Sequence, residues 1–139
     1  MINKKINLNE RIFIAGASGM AGSAILRSFQ KEGYGKLSNG GSLITPSSKE
    51  LNLLDINQVE SFFESKKPTI VVLAAAKVGG INANSTQPAT FILENLKIQT
   101  NVIETAWKSG VKRLLFLGSS CIYPKFANQP IKEESLLTG

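Results

Sequence analysis

Gly16-Ala17-Ser18-Gly19-Met20-Ala21-Gly22 joins an apolar run, Arg11-Ile12-Phe13-Ile14-Ala15, to a stretch with helical periodicity that opens at Met20. Few folds accept three glycines at this spacing between a strand and a helix. The first glycine permits a tight turn, the second a close approach of backbone to a ligand, and the third close helix–strand packing. The helix that follows offers unpaired N–H groups and a partial positive charge to an anion at its N-terminus. In this context the pattern is a dinucleotide-binding turn; a plain strand–helix connection is the simpler alternative. The cofactor-binding candidates here are Gly16, Ser18, Gly19, Met20 and Gly22.

The rest of the chain repeats the same alternation. A helix is predicted from Met20 to about Lys31, with Ala21, Ala24, Ile25 and Phe29 on one side, ended by Gly33 and Gly35. Ser42-Leu43-Ile44-Thr45 reads as a second strand. A helix from about Asn57 to Ser65 carries Val59, Phe62 and Phe63. Ile70-Val71-Val72-Leu73-Ala74 is a third strand, apolar throughout and so suited to burial on both faces. After a loop starting at Val78-Gly79-Gly80, a long helix is expected from about Pro88 to Lys108. Phe91, Ile92, Leu96, Ile98, Val102, Ile103 and Ala106 are available for its buried side. Gly110 caps it, and Arg113 to Leu117 forms a fourth, buried strand; Tyr123 to Gly139 shows no clear element. This is the pattern of an α/β, Rossmann-type doubly wound parallel sheet of the NAD(P)-binding kind. It is truncated at about four strands, with expected order 3-2-1-4, and residues 1–139 read as the N-terminal part of a dinucleotide-binding domain without a substrate domain.

Several function classes drop out on composition. The net charge is +6, but the lysines are dispersed and no basic block interleaves with aromatics, so no nucleic-acid partner is expected. There is one cysteine and no histidine, which leaves no internal disulfide, no metal-ligand cluster and no Ser-His-Asp or Cys-His nucleophile within the chain. No apolar run approaches the roughly 20 residues of a membrane span, and Met1 to Glu10 lacks a signal-peptide core, so no membrane association and a cytoplasmic location are expected.

The end of the second strand bears on cofactor choice. An acidic residue there would hydrogen-bond the ribose of NAD. The run is instead Thr45-Pro46-Ser47-Ser48-Lys49, whose hydroxyls and ammonium suit the 2′-phosphate of NADP(H); Lys49 reads equally as a solvated charge leading a helix. Asp55 either reaches an adenine amino group or caps the helix that follows. Leu73, Ala74, Ala75 and Ala76 would bring backbone close to the cofactor ribose, though small core packing explains the alanines as well. Ser119-Ser120-Cys121-Ile122-Tyr123-Pro124 follows the fourth strand, placing two hydroxyls and the only cysteine at the carboxyl end of a sheet, where ligands of open α/β folds bind.

Glu50-Leu51-Asn52-Leu53-Leu54-Asp55, Leu73-Ala74-Ala75-Ala76-Lys77-Val78-Gly79-Gly80-Ile81 and Leu115-Phe116-Leu117-Gly118-Ser119-Ser120-Cys121-Ile122-Tyr123-Pro124-Lys125 together resemble the GDP-L-fucose synthase family. That family lies within the extended short-chain dehydrogenase/reductase superfamily, and the resemblance runs from about Arg11 to Gly139. It implies 3,5-epimerisation of a GDP-4-keto-6-deoxy-mannose followed by NADPH-dependent reduction of the ketone, and a homodimer. On this resemblance Cys121 is the acid/base thiol and Ser119 the hydroxyl that hydrogen-bonds the ketone oxygen; Ser119 also reads as a strand-end cap. Val78, Gly79, Gly80 and Ser120 are its substrate-binding candidates. Asn95 and Asn101 read as helix residues bonded to neighbouring backbone, without a catalytic role.

The resemblance is incomplete. Some members hold the 2′-phosphate with arginines where this chain has Ser18 and Ser48. The family also needs a Tyr-x-x-x-Lys pair and a histidine; no such pair follows Ser119 and there is no histidine. The chain is therefore expected to be a fragment that neither reduces nor epimerises the sugar alone. Two other readings are another NAD(P)-dependent sugar-nucleotide epimerase or dehydratase, and a dinucleotide-binding module without catalysis.

Overall fold

A computed structural model describes residues 6–139. The first five residues of the polar leader, Met1 to Glu10, lie outside the described residues. Four parallel strands form one sheet: β1 (Arg11–Ala15), β2 (Ser42–Ile44), β3 (Ile70–Leu73) and β4 (Arg113–Phe116). Helices α1 (Met20–Lys31), α2 (Ile56–Lys66), α3 (Ile81–Thr86) and α4 (Pro88–Lys108) connect them. The α/β doubly wound class is as expected, and each predicted strand and long helix is present within one or two residues. The short α3 was not expected; it is cut from the loop after Gly80, whose extended backbone forms its N-cap.

The strand order is β2-β1-β3-β4, which corrects the expected 3-2-1-4. The third strand of the chain does not extend the sheet beyond β2. It crosses back to the other flank of β1, with Phe13 facing both Ile44 and Val71 in register. The reason lies in the helix faces. Ile25, Leu26 and Phe29 of α1 cover one face, on Ile12, Ile14, Ile70 and Val72. Val59 and Phe63 of α2, with Val102 and Ala106 of α4, cover the other, on Phe13, Ala15, Val71 and Leu73. Right-handed crossovers on opposite faces must run in opposite directions from β1. The connections after β1 and β3 therefore diverge, and the crevice between these two strand ends is the topological switch point, where ligands of such sheets bind.

Three burial expectations change. In α1 the packed face is Gly22, Ile25, Leu26 and Phe29, whereas Ala21 and Ala24 are exposed. In α4 Phe91, Val102 and Ala106 are buried and Ile98 packs beside them, but Ile92, Leu96 and Ile103 are exposed, because a helix this apolar has more large side chains than its sheet-facing stripe can bury. The strand β4 is not buried: Leu115 is 52% and Phe116 46% exposed. It is the outer strand of the sheet, two strands away from the β1 over which α1 packs.

Helix ends follow sequence chemistry. At the end of α1, Gly33 (φ +87°) donates to Gln30 O while Tyr34 N donates to Phe29 O, the paired bonds of a glycine-terminated helix. Gly110 and Val111 repeat this after α4, on Trp107 O and Ala106 O. At the other end of the sheet, buried Glu10 (7% exposed) receives Lys112 Nζ on both oxygens, at 2.8 and 3.1 Å, tying the foot of β1 to the foot of β4. The Lys112 and Thr69 hydrogen bonds hold the Glu10 carboxyl below its ordinary 4.5, against the opposing effect of burial. A carboxyl depressed in the folded state stabilises above its unfolded pKa, and that contribution is lost as pH falls through the folded value. Lys112 is 62% exposed, which weakens the pair. Glu10→Gln is expected to cost about 1 kcal/mol at pH 7 and less at pH 3. Urea melts of both chains at the two pH values measure this; an equal loss at both would contradict it.

Candidate functional site

The site is built where the glycine turn after β1 meets the loop after β3. Gly16 adopts φ +81°, and a Cβ there would lie 2.8 Å from Ala74 C, Ala74 O and Ala75 N. The two loops are in backbone contact, and a side chain at Gly16 would part them. Gly22 is tighter still: its Cβ would stand 2.1 Å from Gly16 O. The turn is closed by Gly19 N donating to Gly16 O at 3.0 Å. These contacts supply the tight turn expected of Gly16 and the close packing expected of Gly22.

The N-terminus of α1 is open. Gly19 is its N-cap and gives no side-chain hydrogen bond, and the first turn contains no acid. Helix α2 is the opposite case. Its N-cap Asp55 accepts from Asn57 N and Gln58 N through Oδ1, and from Gln58 Nε2 through Oδ2. The α2 N-terminus is thus neutralised by its own chain, whereas the α1 N-terminus presents free N–H groups to an anion. Of the two roles open to Asp55, capping is the one it performs here.

A cleft of about 250 Å³ opens beside this turn, lined by Gly16, Ser18, Pro46, Ser48, Leu51 to Leu54, Ala75, Ala76 and Ile98 over Phe13 and Ala15. Asn101 Nδ2 donates to Leu53 O at 2.9 Å and so fixes its outer wall. A second depression of about 750 Å³ continues from it, sharing Ala75, Ala76 and Ile98, and is lined further by Lys77 to Gly79, Asn84, Asn95, Gln99 and Phe116 to Cys121. One trough therefore runs over the strand ends from Ser48 to Cys121. A wider groove of about 790 Å³ lies at the opposite ends of the strands, between α2 and α4, remote from the glycine turn.

The structure places about half of the predicted site residues on the lining of this trough and the others behind it or beside it. Ser18, Ser48, Ala75 and Ala76 line its first part; Val78, Gly79, Ser119, Ser120 and Cys121 line the second. Gly19 and Met20 form the start of α1, and Gly80 the start of α3. Ala74 backs Gly16. Leu73 is buried in the core and does not reach the trough, because its side chain falls on the α2/α4 face. Ser47 donates both its N–H and its hydroxyl to Glu50, and neither it nor Lys49 lines the cleft.

Ser119 performs the cap that was its alternative role: its Oγ accepts from Cys121 N at 3.1 Å, at the head of a short 3₁₀ turn, Ser120–Ile122. The two roles are compatible. An oxygen that accepts from Cys121 N–H keeps its own proton to donate to a carbonyl oxygen in the trough. The same turn carries the exposed Cys121, which lines the trough together with Ser119.

Asn101, bonded to Leu53 O forty-eight residues away rather than to neighbouring backbone, and Asn95 both do more than the sequence suggested. Asn95 Oδ1 accepts from Lys77 N at 2.8 Å, and its Nδ2 donates to Lys77 O and Phe91 O at 2.9 Å each. Only the Phe91 bond is to neighbouring backbone, as expected; the two Lys77 bonds fix a loop eighteen residues away. Lys77 Nζ is held by Glu94 at 2.9 Å, and Asn84 Nδ2 donates to Gly79 O and Gly80 O. The wall opposite Cys121 is thereby tied to α3 and α4. The available signal was a polar amide on the same side of α4 as Phe91, Ile98 and Val102.

Comparison with known proteins agrees with this geometry. The chain is 57% identical over 129 residues to GDP-L-fucose synthase 1 of Arabidopsis thaliana, covering 93% of this chain and 38% of that protein. It is 51% identical over 130 residues to GDP-L-fucose synthase of Escherichia coli (strain K12), covering 94% and 39%. The chain thus spans well under half the length of these curated relatives. Among solved structures, MlghC, a GDP-mannoheptose C4 reductase from Campylobacter jejuni with NADP bound, superposes with a TM-score of 0.85 at 41% identity, over 97% of this chain and 41% of that one. Residues 12–139 match the model of the NAD dependent epimerase/dehydratase family. With the open helix, the contacting glycine turn and the trough already in place, this match over nearly the whole chain assigns it to that NAD dependent epimerase/dehydratase family.

Proposed function

We propose that residues 1–139 are the N-terminal, cofactor-binding part of a GDP-L-fucose synthase. The reaction is conversion of GDP-4-keto-6-deoxy-D-mannose to GDP-L-fucose by 3,5-epimerisation and NADPH-dependent reduction of the 4-ketone. The observation that carries this reading is the continuous trough that begins at the uncapped α1 N-terminus and ends at the Ser119–Cys121 turn. Identity of 51% and 57% to named GDP-L-fucose synthases supports the substrate.

The chain's own residues divide the work. The first N–H groups of α1 bind a pyrophosphate, and the bare backbone at Gly16 and Ala74 lets a dinucleotide lie close to the sheet. Ser48 lines the end at which the 2′-position of the adenosine ribose would sit. When bound, NADPH supplies the hydride for the ketone. Ser119 donates its hydroxyl proton in a hydrogen bond to the ketone oxygen, stabilising the negative charge that develops when a flanking carbon loses its proton. Cys121 exchanges protons with that carbon, a thiol serving as base and then as acid.

A second reading, reduction without epimerisation, is favoured by the likeness to a GDP-mannoheptose C4 reductase. Cys121 separates the two, because only epimerisation needs an acid/base group next to the α-carbons. A homodimer and a cytoplasmic location belong to the same proposal; the exposed row Ile92, Leu96, Ile103 and Trp107 on α4 is the face available to a second copy. No described helix is long and apolar enough to cross a membrane.

Titration of the 139-residue chain with NADPH, followed by nucleotide fluorescence, tests the reading. Saturable binding in the range of about 1 μM to 1 mM is expected. Absence of any dinucleotide binding by a folded chain would overturn it.

A further inference from the structure

Ser47-Ser48-Lys49-Glu50 has the form of a capping box, in which a serine and a glutamate three residues on satisfy each other's backbone. Glu50 Oε2 receives Ser47 N and Ser47 Oγ, both at 2.8 Å, and Ser47 O accepts Glu50 N and Leu51 N at 3.1 and 3.0 Å. Such a box ordinarily begins a helix. Here none begins: α2 starts later, at Ile56, under its own cap Asp55. The box closes an isolated turn, pinned at its far end by buried Leu51. That turn stands after β2, where a sheet of this type distinguishes the two phosphorylation states of the adenosine ribose.

The arrangement reassigns the hydroxyls. Both hydrogen-bond donors of Ser47 are occupied by Glu50, so Ser47 has none left for a phosphate. Ser48 lines the cleft with Ser18 and Gly16, and the Lys49 ammonium forms no ion pair among the described residues. We propose that Glu50 is a positioning residue for the 2′-phosphate of the cofactor: through Ser47 it holds the β2–α2 turn in the shape that puts Ser48 on the cleft wall. This rests on the dinucleotide reading above. An acid close to a phosphate would otherwise be repulsive. Its role here is to accept two hydrogen bonds, and a neutral amide oxygen can accept both.

The test is titration of the chain and its Glu50→Ala, Glu50→Gln and Ser47→Ala/Glu50→Ala variants with NADPH and with NADH, thermal melts confirming that each variant folds. Glu50→Ala is expected to weaken NADPH about tenfold while changing NADH by less than about threefold. Glu50→Gln should stay within about threefold of the parent for both, and the double variant should bind no worse than Glu50→Ala alone. Equal losses for NADPH and NADH, or tighter NADPH binding by Glu50→Gln, overturn the proposal while leaving the dinucleotide reading intact. Failure of the parent chain to bind either nucleotide overturns that reading itself.

Discussion

Gly22→Ala is expected to cost the fold about 3 kcal/mol or more and to abolish dinucleotide binding, although it replaces a helical glycine by the best helix former. Helix propensity alone predicts a gain of about 1 kcal/mol at a position inside α1. Space decides otherwise. The new Cβ would lie 2.1 Å from Gly16 O, 2.7 Å from Gly16 C and 3.0 Å from Ala17 Cα, all of them backbone. No side chain can rotate away, so the helix must lift from the turn or the turn must open. Either movement displaces the α1 N–H groups from the position in which they meet a pyrophosphate. Gly33→Ala is the control. Gly33, unlike the helical Gly22, has a positive φ, +87°, but nothing lies within 4 Å of its Cβ position. It should lose only the left-handed strain of about 1 kcal/mol and keep nucleotide binding. Denaturant melts and NADPH titration of the two variants make the comparison; similar losses for both would contradict a steric role for Gly22.

Asn95→Ala should destabilise the chain by about 2–3 kcal/mol and loosen the wall of the trough that faces Cys121. The amide makes three hydrogen bonds, two of them to the N–H and C=O of Lys77, which are left without that partner in the variant. Asn95→Asp should be at least as damaging. Its carboxylate can still accept from Lys77 N–H, but it cannot donate to Lys77 O or Phe91 O and instead sets a negative charge against both carbonyls. Glu94→Gln, which keeps a hydrogen bond to Lys77 Nζ and gives up only a partly exposed ion pair, should cost less than about 1 kcal/mol. Hydrogen exchange locates the effect: the Lys77 amide should lose protection in both Asn95 variants and keep it in Glu94→Gln. A Lys77 amide equally protected in all of them would mean that the loop is held by something other than Asn95.

How far the sequence discloses this molecule depends on whether a feature is local. The glycine turn, the bounds of α1 and α4, and the capping role open to Asp55 are all visible, because each is decided by residues within one turn of one another. The strand order is not. Periodicity identifies β3 as a buried strand but does not say on which flank of β1 it lies; that follows from α1 and α2 covering opposite faces. The apolar run Leu114-Leu115-Phe116 reads as buried on both sides, yet its place at the sheet edge leaves it half exposed. Glu50 and Asn95 stayed hidden for different reasons. Glu50 takes its positioning role only once the turn folds it back onto Ser47, whose N–H and hydroxyl it accepts. Asn95 acts on a loop that adjoins it only in three dimensions.

The account turns on a dinucleotide lying along the trough with its phosphates on α1. Amide hydrogen exchange of the 139-residue chain with and without NADPH tests this most directly. The account predicts new protection at Met20 to Gly22 and at Ser48, with the α2 N-terminus around Asn57 and Gln58 unchanged. Protection confined to the groove between α2 and α4 at the other end of the strands, or none under saturating nucleotide, would contradict it.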